Sequence, residues 1–124
     1  MKFAIVSDDE KTISRHFGQA RTYLVFTSGE GIFMTRESRP KPAHEHHGHA
    51  EHNHQHSGAN ALHQSMADPI LDCEAVITGG MGRGAYQSLQ AHGIRAIITD
   101  LTFVEEAVNA YMNGTLVDHP ERLH

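Results

Sequence analysis

Short apolar runs separated by polar turns divide this chain into alternating elements. Phe3-Ala4-Ile5-Val6 stops at Ser7-Asp8-Asp9, the pattern of a buried strand. Thr22-Tyr23-Leu24-Val25-Phe26 is a second β-rich run, broken at Ser28-Gly29-Glu30-Gly31. Ile32-Phe33-Met34-Thr35 follows directly, so the two runs predict a hairpin. A polar stretch containing Pro40 and Pro42 then predicts irregular chain. Between Ala59 and Leu71, Leu62, Met66 and Ile70 recur at helical spacing, with Pro69 ending or distorting the last turn. Glu74-Ala75-Val76-Ile77-Thr78 predicts another buried strand, closed by the glycine-rich segment Gly79–Gly84. Ala85–Gln90 continues as a helix stopped at His92-Gly93, and Arg95-Ala96-Ile97-Ile98-Thr99 is a fifth strand. Thr102 with Glu105 three residues later has the form of a capping box. The helix it opens carries Phe103, Ala107, Val108, Tyr111 and Met112 on its apolar side and ends at Asn113-Gly114. Five strands and about three helices in this order predict an α/β fold with a mixed five-stranded sheet.

Strand direction places the loops. If the first strand runs up and the second pairs with it antiparallel, the third runs up again. Right-handed crossovers make the strands at Ala75 and Arg95 parallel. Ser7–Phe17, His44–His56, Gly79–Gly84 and Asp100–Thr102 then emerge on one edge, the carboxyl-end edge at which open α/β sheets bind ligands. The Gly29–Gly31 turn and Cys73 fall on the opposite edge.

Length and charge narrow the functions. A chain of 124 residues is one domain with one core, and 1–124 is read as a single metal-cofactor-binding domain. Net charge is −5 and no Lys/Arg cluster occurs, so the phosphate-neutralising surface of a nucleic-acid binder is missing. The apolar run of MKFAIVSDDE is too short for a signal peptide or membrane span, and a cytoplasmic location with no membrane partner is the expectation. The single cysteine, Cys73, closes neither an intrachain disulfide nor a Cys-based zinc or iron–sulfur site, and reads as a small buried hydrophobe.

One segment breaks this ordinary picture. From Lys41 to His63 the chain reads KPAHEHHGHAEHNHQHSGANALH, and His44, His46, His47, His49, His52, His54 and His56 are separated by small or polar residues alone. Nothing there can join a core, so a flexible His-rich loop is expected at about 39–57. A solvated polar loop would have this polarity without this density of imidazole. Neutral imidazole is the commonest protein ligand for Zn²⁺, Ni²⁺ and Cu²⁺, and these seven histidines are the candidate ion ligands.

Two further segments carry a family pattern. Ser14-Arg15-His16-Phe17-Gly18-Gln19-Ala20 resembles the S-x-H-F-G-x-A motif of the dinitrogenase iron–molybdenum cofactor biosynthesis family. Ala75–Ala85 followed by Gly93-Ile94 is similar to its V-I-x-G-G-x-G-x-x-A…G-I pattern. Val104-Glu105-Glu106-Ala107-Val108 and Asn113-Gly114-Thr115-Leu116 resemble its terminal helix and N-G-x-L ending. The resemblance spans nearly the whole chain except the His-rich insertion and the last residues. It implies a ribonuclease-H-like fold that carries or delivers a metal–sulfur cluster, of Mo/Fe or Mo/Cu sulfide type, between donor and acceptor proteins. It also implies that His16 is a ligand.

The glycine-rich segment fits that cargo. Glycines at 80, 82 and 84 do not form G-x-G-x-x-G, so a nucleotide loop is set aside. A glycine turn opening a helix offers unpaired N–H groups and a positive dipole end to an anionic cluster. Arg15 and Arg83 would add charge and Met81 a soft thioether. Gly80, Met81, Gly82 and Arg83 therefore join Arg15 and His16 as candidate cofactor-binding residues. The competing structural reading is a tight turn whose glycines need positive φ. A two-metal hydrolase built on Asp8, Asp9, Glu10 and Asp100 is set aside, because acidic turn residues after a strand are ordinary and no basic surface holds a nucleic acid. The expected protein is therefore a carrier and not an enzyme. The alternative is a divalent-ion binding or storage protein without sulfide.

Overall fold

The computed structural model describes residues 1–29, 34–42 and 66–124. Five strands form one mixed sheet in the order β3-β2-β1-β4-β5. Strand β1 (Lys2–Ser7) lies at its centre, antiparallel to β2 (Thr22–Ser28) and parallel to β4 (Ala75–Thr78). Strand β3 (Met34–Pro40) pairs antiparallel with β2, and β5 (Arg95–Ile98) pairs parallel with β4. Helix α1 (Arg83–Ala91) connects β4 to β5, and α2 (Val104–Asn113) follows β5.

The central strands are apolar through their middles because both faces of the sheet are covered. Ala4, Val6, Tyr23, Val25, Val76, Ala96 and Ile98 feed one core, with Phe17, Met66, Ile70 and Leu89 of α1. Phe3, Ile5, Leu24, Phe26, Ile77 and Ile97 feed the other, with Ile13 and with Val104 and Ala107 of α2. The period of two along each strand thus separates two apolar sets instead of an apolar set from a polar one. Both helices end where glycine supplies a left-handed residue: Gly93 has φ +77 and Gly114 φ +75.

The antiparallel hairpin and parallel crossovers put Ser7, Thr22, Pro40, Thr78 and Ile98 on a common edge, as strand direction predicted. Three local expectations change. The third strand runs over Met34–Pro40, later than Ile32–Thr35, and takes in Arg39 and Pro40, where the irregular loop was expected to begin; 30–33 lie outside the described residues. Its side chains are mostly exposed, so no apolar run marks it, and Pro40 is tolerated at an edge strand's end. Helix α1 starts at Arg83 with Gly82 as its N-cap, two residues before Ala85. Thr102 does not cap α2: Phe103 is the N-cap, with no side-chain cap bond. The Thr102 carbonyl instead accepts the Ile13 N–H at 2.9 Å, and the Val104 N–H donates to the Lys11 carbonyl at 2.9 Å. Of the helix expected over Ala59–Leu71, the described part is residues 66–71, which hold the short 3-10 turn Asp68–Ile70. The described residues thus contain two α-helices plus 3-10 turns, against about three helices expected. No helix among them is long and apolar enough to cross a membrane.

Candidate functional site

The loop after β1 is tied down at both halves. Asp9 Oδ1 accepts the N–H groups of Lys11 and Thr12 at 2.9 and 2.7 Å, closing a turn. These bonds hold the Asp9 carboxyl down at about 2. Asp8 accepts the Arg21 N–H at 2.9 Å. Both carboxylates are thus engaged in closing the loop.

The second half explains the Ser-x-His-Phe-Gly-x-Ala pattern residue by residue. The Ser14 N–H donates to the Val6 carbonyl at 2.9 Å, extending the line of β1. The His16 N–H donates to Ser14 Oγ at 3.1 Å, and the His16 carbonyl accepts from Gln19 and Ala20 at 3.0 Å each. Phe17 and Ala20 are buried in the core, while Arg15 and His16 are exposed. Two apolar anchors therefore hold a one-turn loop that presents His16 outward.

The turn after β4 packs directly against this loop. The Gly79 N–H donates to the Ser14 carbonyl at 2.8 Å, and the Phe17 N–H donates to the Gly80 carbonyl at 3.0 Å. The buried Thr78 hydroxyl donates to the Gly80 carbonyl at 2.9 Å and accepts the Gly80 N–H at 3.3 Å. A methyl group on Gly80 would stand 2.6 Å from the Arg15 carbonyl oxygen; one on Gly79 would stand 3.0 Å from the Ser14 oxygen. Among the described glycines positive φ occurs at Gly93 and Gly114, not in this turn, so the reason for Gly79 and Gly80 is backbone-to-backbone approach. Gly84 lies within α1.

This packing leaves a cavity of about 220 Å³ lined by His16, Phe17, Gly18, Gln19, Met81, Gly82 and His124. Of the residues singled out from the sequence, His16, Met81 and Gly82 meet here. Met81 is 1% exposed and packs in the core, so it forms a wall. Gly80 is buried behind the cavity with its N–H already bonded to Thr78. Arg83 is exposed, and its N–H donates to the His124 main-chain oxygen at 3.1 Å. His124 had no motif to mark it; the contact arises because the end of the chain folds back onto α1. The tract His44–His56 lies outside the described residues.

A larger cavity of about 830 Å³ lies against α2, lined by Asp8, Asp9, Glu10, Glu105 and Glu106 with Lys11, Arg36, Phe103 and Val104. The two differ in their side chains: no carboxylate side chain lines the smaller one, whereas five line the larger. Cys73 is buried at the amino-terminal side of β4, on the far edge, where burial pushes its thiol up to about 12, unsuited to serving as a thiolate ligand.

The fold is shared with solved structures. The apo form of the orange protein from Desulfovibrio gigas is 22% identical with a TM-score of 0.63, over 96% of this chain and 92% of that one. A candidate NifB protein from Thermotoga, of the DUF35 family, is 22% identical with a TM-score of 0.66, over 94% and 91%. A candidate dinitrogenase from Methanocaldococcus jannaschii is 15% identical with a TM-score of 0.64, over 97% and 95%. These likenesses concern the fold. A search of curated proteins gives no match. Residues 1–114 match the family model described as dinitrogenase iron-molybdenum cofactor, and this chain belongs to that family.

Proposed function

We propose that this protein binds and carries a metal–sulfur cluster or its precursor in the pocket between the His16 loop and the β4–α1 turn. A His-rich tract collects metal ions. The observation that carries the reading is the meeting of His16 with Met81 and Gly82 around one pocket free of carboxylate side chains. Sulfide-bridged clusters are anionic and take imidazole as a terminal ligand. An acid-lined cavity repels them, whereas Arg15 and Arg83, next in sequence to the lining residues His16 and Gly82, suit them.

Each residue then has a role. His16 supplies the ligand, exposed and oriented by the Ser14 hydroxyl. Gly82, with φ −86 and ψ 166, is the N-cap of α1 and lines the pocket, which brings the positive end of the helix dipole to it. Met81 closes the wall, and Gly80 acts through position, by letting the two loops touch. Arg15 and Arg83 supply long-range positive charge. His44, His46, His47, His49, His52, His54 and His56 bind Zn²⁺, Ni²⁺ or Cu²⁺ independently of sulfide. The cluster is cargo, passed from a donor to an acceptor protein in the cytoplasm, and no bond-making step is assigned to the protein.

Loading metal-free protein with tetrathiomolybdate and copper tests this. The parent should acquire charge-transfer absorption with stoichiometric Mo, Cu and sulfide, and His16→Ala should lose most of it while still taking up Zn²⁺. A colourless, sulfide-free parent that binds Zn²⁺ alone would support the ion-storage reading. Equal loading of His16→Ala and parent would remove His16 from the site.

A further inference from the structure

Residues 115–124 lie beyond the family match, yet they return to the carboxyl-end edge and are stitched there. The His119 N–H donates to the Ile98 carbonyl at 2.8 Å, and Asp118 Oδ1 accepts the Ile98 N–H at 2.9 Å. Leu123 packs against the core that contains Phe17 and Met81. The His124 N–H donates to the Met81 carbonyl at 3.2 Å, while its main-chain oxygen accepts the Arg83 N–H at 3.1 Å. These last two bonds straddle Gly82, so His124 is pinned across the mouth of α1 by its main chain, with its side chain exposed.

The consequence is a second histidine at the pocket. His16 comes from the first loop of the chain and His124 from its far end, and both line the same 220 Å³ space. We propose that the His124 imidazole is a metal ligand at this pocket. It holds a soft or borderline ion, Cu(I) foremost, together with His16. This deepens the carrier reading and rests on it for the role of His16. Two neutral imidazoles donate lone pairs without redox change, and they leave coordination positions open for sulfide of the cargo. The ring is placed by main-chain bonds that any residue at 124 could make, which leaves the side chain free for this use.

The experiment uses the full chain with the seven tract histidines, His44 to His56, changed to Asn, so that the tract does not mask the pocket. Cu(I) is titrated anaerobically against a coloured Cu(I) chelator, and the ring nitrogens of His16 and His124 are followed by NMR. His16→Ala and His124→Ala should each weaken Cu(I) binding at least tenfold, and the double variant little further, because one remaining imidazole chelates poorly. His124→Gln, which keeps a polar side chain and the main-chain bonds, should bind no better than His124→Ala. Both ring-nitrogen signals should shift with one equivalent of Cu(I). Parent-like affinity in His124→Ala with loss in His16→Ala would overturn the role of His124 and leave that of His16. Parent-like affinity in both would overturn the pocket itself. If a His124 variant also melts at lower temperature, the parent's ring signals decide: an unshifted His124 overturns the proposal.

Discussion

Replacing Gly80 by Ala should be the most damaging single-methyl change at the site. The added Cβ would stand 2.6 Å from the Arg15 carbonyl oxygen, and backbone cannot swing away as a flexible side chain does. Relief requires the two loops to part by most of an ångström, which strains the Phe17-to-Gly80 bond at 3.0 Å and the Gly79-to-Ser14 bond at 2.8 Å. Overpacking of this kind costs about 1–3 kcal/mol, and an unmade buried backbone bond about 1–3 more. A total of about 2–6 kcal/mol corresponds to a fall in melting temperature on the order of 10–20 °C for a domain of this size. Gly82→Ala is the matched control. Its Cβ would sit 3.5 Å from the His124 oxygen, an ordinary contact, and φ −86 suits any residue. Its cost should stay within about 1 kcal/mol. Thermal and urea melts of metal-free protein read both changes. Equal stability of Gly80→Ala and parent would refute the close-approach argument, as would Gly82→Ala falling as far as Gly80→Ala.

Two further outcomes follow from the described geometry and the sequence. Lys41 is 5% exposed, with its ammonium 4.6 Å from the Phe17 ring centroid, and burial pulls its pKa down to about 8. The unfolded chain holds that proton up to about 10.5, so it binds more protons than the native state between pH 8 and 10.5, and stability rises with pH across that window. Below pH 8 the penalty is at most about 3 kcal/mol, reduced by about 1 kcal/mol of cation–π attraction. Lys41→Met should therefore be more stable at pH 7 by about 1–3 kcal/mol, with the difference from parent shrinking toward pH 10; a constant difference in urea melts would refute the burial argument. Changing the seven tract histidines to Asn should cut Zn²⁺ stoichiometry while leaving the metal-free melting temperature within a few degrees. Binding in the parent should weaken as pH falls through about 6, where imidazole protonates. Undiminished Zn²⁺ uptake by calorimetry would exclude the tract.

What the sequence made legible tracks how each residue is fixed. Strands β1, β2, β4 and β5 could be read because both faces are covered, leaving unbroken apolar runs. Strand β3, with polar MTRESRP at the sheet edge, takes its register from pairing with β2, which leaves no apolar trace in its own residues. The Thr102 capping box failed because α2 begins one residue later, with Phe103 as N-cap held in a bridge to Thr12, a partner about ninety residues earlier that no local pattern contains. His16 was singled out through motif resemblance, and its exposed position rests on Ser14, Phe17 and Ala20 within the same motif. His124 carried no such signal, since its position depends on the last segment returning to α1.

The placement of the His-rich tract gives its chemistry a direction. Its leading end follows β3, whose last residue Pro40 pairs with Thr22 beside Ser7, and the Lys41 N–H donates to the Arg21 carbonyl at 2.9 Å. Its trailing end arrives at Met66, whose carbonyl accepts the Tyr23 hydroxyl at 2.5 Å, and Tyr23 pairs with Val6 one residue before the end of β1. Both attachment points therefore lie at the edge of the sheet from which the His16 loop leaves, and Lys41 itself rests on the Phe17 ring that lines the pocket. Chain ends anchored this close raise the local concentration of imidazole near the pocket, to the millimolar order typical of short tethers, whatever path the tract takes between them. That coupling needs no contact between tract and pocket, and it separates a collecting tract from a storage tract, which would serve as well anchored on the opposite edge near Cys73.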